Sequence, residues 1–281
     1  MTAAVVLAAG PGTRLGDLGA RMPKTMIPVA GRPFLEHLTG RLARAGLRPV
    51  VVAVHHHADA ILHHFAGNTS AADLRFVYTD QRGTGADLMR CLDAVPEDAF
   101  VVWNGDTVVD LDLADVLAHS EQHPGRGVIV LTRRPDAPNH NTWYIDPDDT
   151  VLATLEAVPT PPPPATFGWR GSSTGVLLLN KALLAAYWST EAPDLYAAIL
   201  PELIAQRQLI AYDNGDRYFL DFGTPRDLAR LDHNQVAHWA LTRPVEHGTP
   251  QPARSPKAGA EIRNHQPPTT NETGTHHSPI G

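Results

Sequence analysis

The sequence predicts an α/β protein, with a mostly parallel sheet covered by helices. Three observations carry this. Ala3 to Ala8 is a short apolar run that ends in Gly10-Pro11-Gly12, the pattern of a buried strand feeding a loop. Phe34, Leu35, Leu38 and Leu42 then recur at helical spacing until Gly46, and Pro49 to Val54 forms a second apolar strand. The same alternation repeats further on, and strands alternating with helices imply a parallel sheet with helices on its faces.

Next in order come a helical stretch from about Ala58 to Phe65, a strand from Leu74 to Tyr78, a helix near Asp87 to Ala94, and a strand from Phe100 to Trp103. Strands at Val128 to Leu131, Trp143 to Ile145, Val151 to Leu155 and Val176 to Leu179 have fewer helices between them. That half is expected to be more antiparallel. Pro161 to Pro164 cannot donate backbone hydrogen bonds, which predicts a stiff surface turn spacing two strands. The last helix is expected from Pro225 to about Leu241. Beyond it Pro, Thr, His, Asn and Gly dominate as far as Gly281. The expected division is therefore one domain over residues 1–242 and a disordered tail over residues 243–281.

Composition narrows the class of function. The 281 residues are 43% hydrophobic and 19% charged, which suits one globular catalytic domain. The net charge of −7, with no Lys/Arg block, lacks the electrostatic footprint of a nucleic-acid or anionic-membrane binder. A small anionic substrate stays open, because local N–H groups, cations and a metal can hold phosphate against an overall negative field. Cys91 is the only cysteine, so no internal disulfide can form; it reads as core filler in a reducing cytoplasm. The N-terminus lacks a cationic leader, and no long apolar run occurs elsewhere. A homo-oligomer is compatible with the sequence, which does not set the oligomeric state.

The chemistry begins at Gly10-Pro11-Gly12-Thr13-Arg14-Leu15-Gly16, where glycines after a strand let backbone N–H groups approach a phosphate. A plain structural turn would read equally well from these glycines alone. Leu15 stands where a dinucleotide fingerprint needs glycine, and the Gly-Lys-Ser/Thr of a P-loop is missing. Soon afterwards comes Pro23-Lys24-Thr25-Met26-Ile27-Pro28-Val29-Ala30-Gly31-Arg32-Pro33, a lysine braced between prolines. The joint pattern LAAGPGTRLG, then MPKTMIPVAGRPFLEHL, resembles the signature of sugar-1-phosphate nucleotidyltransferases. Asn104-Gly105-Asp106 and Phe219-Leu220-Asp221-Phe222-Gly223-Thr224-Pro225 agree with it. Finer matches, among them RGTGADL, WNGDTVVDLDL and YFLDFGTPRDL, are similar to compact heptose-1-phosphate guanylyltransferases and more loosely to N-acetylmuramate-1-phosphate uridylyltransferases. The resemblance spans roughly residues 3 to 235.

That resemblance implies a three-layer α/β/α sandwich with a mixed, mostly parallel central sheet. It implies transfer of a nucleoside monophosphate from a nucleoside triphosphate to a sugar 1-phosphate, with Mg2+ and release of pyrophosphate. The roles carried over are Arg14 and Lys24 for catalysis; Leu7, Ala8, Ala9, Gly10, Gly12, Thr13, Asp80, Gly83, Thr84 and Gly85 for the nucleotide; and Asn104, Glu156, Thr174 and Gly175 for the acceptor. Asp106 and Asp221 would hold the metal, since hard cations take carboxylate and phosphate oxygens. GTP is favoured because Asp80, just before the Gly83-Thr84-Gly85 turn, would accept both N1–H and the 2-amino group of guanine; a solvated loop residue is the alternative.

Departures from the family fall at the acceptor. Ala157 replaces the lysine of a Glu-Lys pair after Glu156, Ser173-Thr174-Gly175 replaces Asn-Ala-Gly or Asn-Gly-Gly, and His140-Asn141 replaces Tyr-Gly. A heptose-like sugar, another unusual sugar or a cyclitol phosphate is expected. UTP- or dTTP-dependent transfer and a non-catalytic nucleotide-sugar sensor are the rival readings. His55, His56 and His57 alternate faces on a strand and are not expected to converge on one ion. Trp103, Trp143, Trp169 and Trp188 are expected in the core or a pocket wall, with Trp169 placed to stack on a ring.

Overall fold

A computed structural model describes residues 2–66, 73–80, 82–134, 142–154, 162–163, 166–188 and 192–241. The chain divides into Met1–Glu246 and His247–Gly281, and every described residue belongs to the first unit. The tail, Leu155, Glu156, Ala157, His140, Asn141, Pro161 and Pro164 lie outside the described residues.

In chain order the elements are β1 (Ala3–Leu7), α1 (Asp17–Arg21), β2 (Pro28–Val29), β3 (Arg32–Pro33), α2 (Phe34–Arg44), β4 (Val50–Val54), α3 (Ala58–Ala66), β5 (Leu74–Tyr78), α4 (Thr84–Cys91), β6 (Ala99–Asn104), β7 (Thr107–Val109) and α5 (Leu113–Glu121). Then follow β8 (Gly127–Thr132), β9 (Thr142–Ile145), β10 (Val151–Thr154), β11 (Trp169–Asn180), α6 (Lys181–Leu184), α7 (Leu200–Ala205), β12 (Leu209–Asp213), β13 (Phe219–Asp221), α8 (Pro225–Leu228) and α9 (His233–Leu241). Nine strands form one mixed sheet whose main path is β10-β9-β11-β6-β1-β4-β5, with β8 on β11 and β12 on β8. β6, β1, β4 and β5 run parallel, whereas β11 runs antiparallel to β6, β8 and β9. The expected division into a parallel and a more antiparallel half is the observed one, except that β12 is parallel to β8.

The continuous apolar reading of β1 and β4 follows from burial on both faces, as in parallel sheets generally. Alternate residues feed two cores. Ala4, Val6, Val50 and Val52 pack under α2, α3, α5 and α9, while Ala3, Val5, Val51 and Ala53 pack under α4, α6 and α7. Two helical layers on one sheet give the α/β/α sandwich. Cys91 is buried in the second core, where desolvation raises its thiol pKa strongly and keeps it an inert filler.

α1, β2, β3, β7, α5, α6, α7, β12 and β13 add to the sequence reading, and one expected helix divides. α5 starts where Asp112 accepts the Ala114 N–H at 2.9 Å, and β12 is a short apolar run at the sheet edge. The single helix expected over Pro225 to Leu241 is two helices, because Asp232 accepts the Asn234 and Gln235 N–H groups at 2.8 and 3.1 Å and caps a new start. Inside α2, Arg41 and Arg44 donate to the Trp239 and Ala240 carbonyls near the end of α9, so that end is closed from within the domain. A chain ending at Arg243 is accordingly expected to keep the melting temperature and the turnover of the full chain; a truncated protein that loses turnover would give the tail a part in the site.

Candidate active site

The site is assembled where β1 and β6 end. β1 finishes at Leu7 and the chain turns through Gly10 to Gly16, with Gly12 in the left-handed region at φ 65°. Leu15 is buried and anchors this loop in the core. A β-carbon on Gly19 would stand 2.2 Å from the Gly12 carbonyl oxygen, so only glycine lets α1 close against the loop. His56 and His57 bond through Nε2 to the Gly19 and Ala20 carbonyls at 3.1 and 3.0 Å, and His55 bonds through Nδ1 to the Thr79 carbonyl. The histidines follow the end of β4 rather than alternating on a strand: the His56 and His57 rings lie side by side at 4.1 Å over the end of α1, while His55 turns to Thr79.

Pro23 and the tight turn Lys24–Met26 bring the lysine back under the glycine loop, where a β-carbon on Gly10 would be 3.8 Å from Lys24 Cε. Its ammonium donates to Asp106 Oδ2 in a close ion pair. Asp106 is nearly fully buried at the end of β6, one residue after Gly105, whose N–H donates to the Leu7 carbonyl at 3.0 Å. A β-carbon on Gly105 would lie 2.8 Å from both Leu7 O and Thr25 Cγ2, so glycine is what allows the ends of β1 and β6 and the lysine turn to meet.

Asp221 arrives from the ribbon that β13 makes with β7, opposite Thr107, and the Phe222 N–H donates to the Asp106 carbonyl at 3.2 Å. Phe222 is fully buried edge-on to Phe34 at 4.8 Å, which fixes the carboxylate before it. Gly223 N–H donates to Asp221 Oδ1 at 2.8 Å, and a β-carbon on Gly223 would be 2.8 Å from Arg14 Nη2. Arg14, Lys24, Asp106 and Asp221 therefore meet at one point, although the sequence separates Arg14 from Asp221 by 207 positions. Burial, and then the negative charge of Asp106, push the Asp221 carboxyl up to about 6, against the Gly223 N–H and the charges of Lys24 and Arg14.

Ala8 and Ala9 are buried, so backbone is what they can offer a ligand, and the Ala8 N–H already donates to the Ala53 carbonyl at 3.2 Å. Leu7 is half-buried, while Thr13 is exposed on the loop. Gly83 has φ 116° and opens α4; the Thr84 hydroxyl donates to Asp194 Oδ2 at 2.7 Å; a β-carbon on Gly85 would stand 1.8 Å from the Pro193 carbonyl oxygen. Asp80 is exposed beside this turn and accepts from Arg90 Nη2 at 3.4 Å, so its carboxylate carries a partner that the sequence reading did not give it.

At the residues expected to meet the acceptor, β11 exchanges β6 for β9 along one edge, with its register on β8 shifting between Ser173 and Leu177. Gly175 sits in this irregularity at φ 74°, and a β-carbon there would be 2.6 Å from Asn104 Nδ2. Asn104 and Gly175 are thus together as expected. The Thr174 side chain is not with them: its hydroxyl is buried and donates to the Val130 carbonyl at 2.9 Å, because the irregularity turns it toward β8. Trp103 and Trp143 are core, but Trp188 is 45% exposed. The Trp169 ring already carries a partner, with Arg133 4.4 Å from its centroid. Asp194, Tyr196 and Gly19 were missed. Asp194 had a readable signal, standing just before the apolar run at Leu195, whereas Gly19 acts through its fit against Gly12 and Tyr196 through a contact distant in sequence.

A strand-loop-helix unit with cationic and carboxylate groups converging beneath a glycine loop defines a nucleotide-handling α/β domain. Residues 4–190 match the family described as MobA-like NTP transferase domain, and the chain belongs to that family. It is 29% identical over 231 residues to the mannose-1-phosphate guanylyltransferase of Mycobacterium tuberculosis, covering 81% of this chain and 62% of that one. It is 26% identical over 226 residues to the D-glycero-alpha-D-manno-heptose 1-phosphate guanylyltransferase of Campylobacter jejuni, covering 80% and 96%. The chain thus spans about three fifths of the mannose-1-phosphate relative and nearly all of the heptose one. Among solved structures it superposes on HddC from Yersinia pseudotuberculosis with a TM-score of 0.68 at 23% identity, covering 82% of this chain and 97% of that one. It superposes on the inositol-1-phosphate CTP transferase from T. maritima with a TM-score of 0.67 at 16% identity, covering 86% and 98%. The mixed-sheet sandwich expected from the sequence is the fold of these proteins. No described helix is long and apolar enough to cross a membrane.

Proposed function

We propose that this chain transfers a nucleoside monophosphate from a nucleoside triphosphate to a sugar 1-phosphate in the cytoplasm, releasing pyrophosphate. The observation that carries this reading is the meeting of Lys24, Asp106, Asp221 and Arg14 beneath the Gly10–Gly12 loop. The acceptor's phosphate oxygen attacks the α-phosphorus in line, so no covalent nucleophile is needed from the protein. Arg14 and the loop backbone hold the triphosphate. Lys24 bridges the α-phosphate and the acceptor phosphate and keeps the two anions in reach of each other.

Asp106 and Asp221 are the residues that would hold Mg2+. The donor set fits, since a buried and a half-buried carboxylate at one point leave the remaining positions of an octahedral ion to water and phosphate oxygens. When bound, the ion would neutralise charge developing on the phosphates. Asp221 binds a cation as the carboxylate, so the proton it takes near pH 6 competes with metal. Mg2+ affinity is expected to hold at neutral pH and to fall by up to about tenfold per unit once the pH drops below about 6. The linked stability has the opposite sense. A carboxyl raised in the folded state stabilises the metal-free protein below its ordinary value near 4, and this is lost as pH rises through about 6. Melting temperatures with EDTA and with Mg2+, in wild type and Asp221→Asn, measure both effects; a pH dependence that is identical in the two proteins would remove Asp221 from it.

GTP is the favoured donor, supported by the guanylyltransferase relatives and by Asp80 beside the Gly83–Gly85 turn. The acceptor is heptose-like, or an unusual sugar or cyclitol phosphate, since Ala157 and Ser173-Thr174-Gly175 depart from the family pattern there. Steady-state rates with GTP, UTP, dTTP, CTP and ATP and one accepted sugar phosphate test the base. GTP is expected to give the highest kcat/KM, and a preference for UTP or dTTP that survives Asp80→Ala would overturn it.

A further inference from the structure

Tyr196 belongs to no motif that pointed to the site, yet its phenol O–H donates to Asn104 Oδ1 at 3.1 Å across 92 positions of sequence. The segment that carries it is fixed on both sides. Asp194 Oδ1 accepts the Tyr196 and Ala197 N–H groups at 2.9 Å each, and Asp194 Oδ2 accepts the Thr84 hydroxyl at 2.7 Å. The Leu195 N–H donates to that same hydroxyl at 3.0 Å, and Gly85 lies against the Pro193 carbonyl so closely that no β-carbon fits. The tyrosine is thus mounted on the turn that opens α4 and reaches across to the end of β6.

An asparagine amide turns easily about its last torsion and can present either an accepting oxygen or a donating NH2 group. At Asn104 the structure turns the oxygen to the phenol. That oxygen accepts from the Tyr196 O–H, while the nitrogen edge lies over Gly175, whose missing β-carbon would be only 2.6 Å from Nδ2. An acceptor rich in phosphate and hydroxyl oxygens needs donors, and a fixed donor edge binds it without first having to be ordered.

We infer that Tyr196 is a positioning residue for the acceptor, holding the Asn104 amide so that its NH2 edge serves the sugar phosphate while its oxygen stays on the phenol. This rests on the acceptor role proposed for Asn104. It also ties the acceptor side to the nucleotide turn through a continuous path from Thr84 through Asp194 and Tyr196 to Asn104.

The test compares wild type, Tyr196→Phe, Asn104→Ala and the double variant, all with Mg2+ and GTP. The acceptor is whichever of α-D-mannose 1-phosphate, D-glycero-D-manno-heptose 1-phosphate and inositol 1-phosphate releases pyrophosphate fastest. Tyr196→Phe removes one hydroxyl and is expected to raise the acceptor KM about fivefold, the size of one hydrogen bond, with kcat, the KM for GTP and the melting temperature little changed. Asn104→Ala is expected to raise the acceptor KM at least as much, and the double variant no further. An unchanged acceptor KM in Tyr196→Phe, beside a raised one in Asn104→Ala, overturns the inference alone. Equal changes in both substrates' KM, or a loss of melting temperature alone, would make Tyr196 merely structural and overturn it as well. An unchanged acceptor KM in Asn104→Ala removes the acceptor role of that residue and the inference with it. No turnover with any of the three acceptors would sink the functional reading itself.

Discussion

Replacing Asp106 or Asp221 by asparagine is expected to lower Mg2+-dependent turnover by about a thousandfold, with the folded structure retained. The two carboxylates are held by backbone rather than by each other. Asp106 follows the Gly105 N–H bond to Leu7, and Asp221 is fixed between the bond from Phe222 to Asp106 and the edge-on contact of Phe222 with Phe34. An isosteric amide leaves those backbone supports in place and removes negative charge where the proposed divalent cation would sit, and at 106 also the counter-charge of Lys24. The asparagine at 221 also removes a group whose pKa is raised by burial and by Asp106, so the metal-free variant should lose none of its stability at neutral pH. Pyrophosphate release and thermal melting, measured together, check both halves. Wild-type rates in either variant would take that residue out of the metal site.

Lys24→Met is expected to lower kcat by more than tenfold, about 1.4 kcal/mol of transition-state stabilisation, when Mg2+ is present. The lysine stem lies under Gly10 and its ammonium pairs with Asp106, so it stands between the loop proposed to receive the triphosphate and the carboxylate proposed to receive the metal. Methionine keeps the stem and its packing and removes the charge. Removing one partner of a buried pair leaves Asp106 without a counter-charge, and the metal-free variant is expected to melt earlier than wild type. Mg2+ should recover most of that difference but not the rate. A variant that melts earlier with or without Mg2+ yet turns over normally would assign Lys24 a structural role.

The four residues that the fold brings together, Arg14, Lys24, Asp106 and Asp221, were legible in the sequence because each sits in a short motif. A glycine loop after a buried strand, a lysine between prolines, an aspartate ending an apolar strand and another in Phe219–Pro225 carried little singly, and their joint resemblance to a family pointed to one site. The surroundings of the residues expected at the acceptor were not legible, because they depend on where distant side chains point. Thr174 could be placed at the right strand, but the shift in register that turns its hydroxyl to Val130 arises from how β11 fits against β8. Asp80 could be placed before the nucleotide turn, but its pairing with Arg90 depends on a helix folding back beside it. Tyr196 reaches Asn104 across 92 positions of sequence and left no mark in either local pattern. In the fold, strand identities followed from apolar runs, whereas the split of the last helix at Asp232 turned on one capping carboxylate inside an otherwise helical stretch.

The most direct test of the central claim is a matrix of nucleoside triphosphates against sugar and cyclitol 1-phosphates, with pyrophosphate release and product mass measured in the same reaction. The account predicts Mg2+-dependent pyrophosphate release only when an acceptor phosphate is present, with a product whose mass is that of the acceptor plus a nucleoside monophosphate less water, and with GTP giving the fastest pairing. Binding of nucleotide and sugar phosphate with no pyrophosphate and no joined product in any pairing would contradict it.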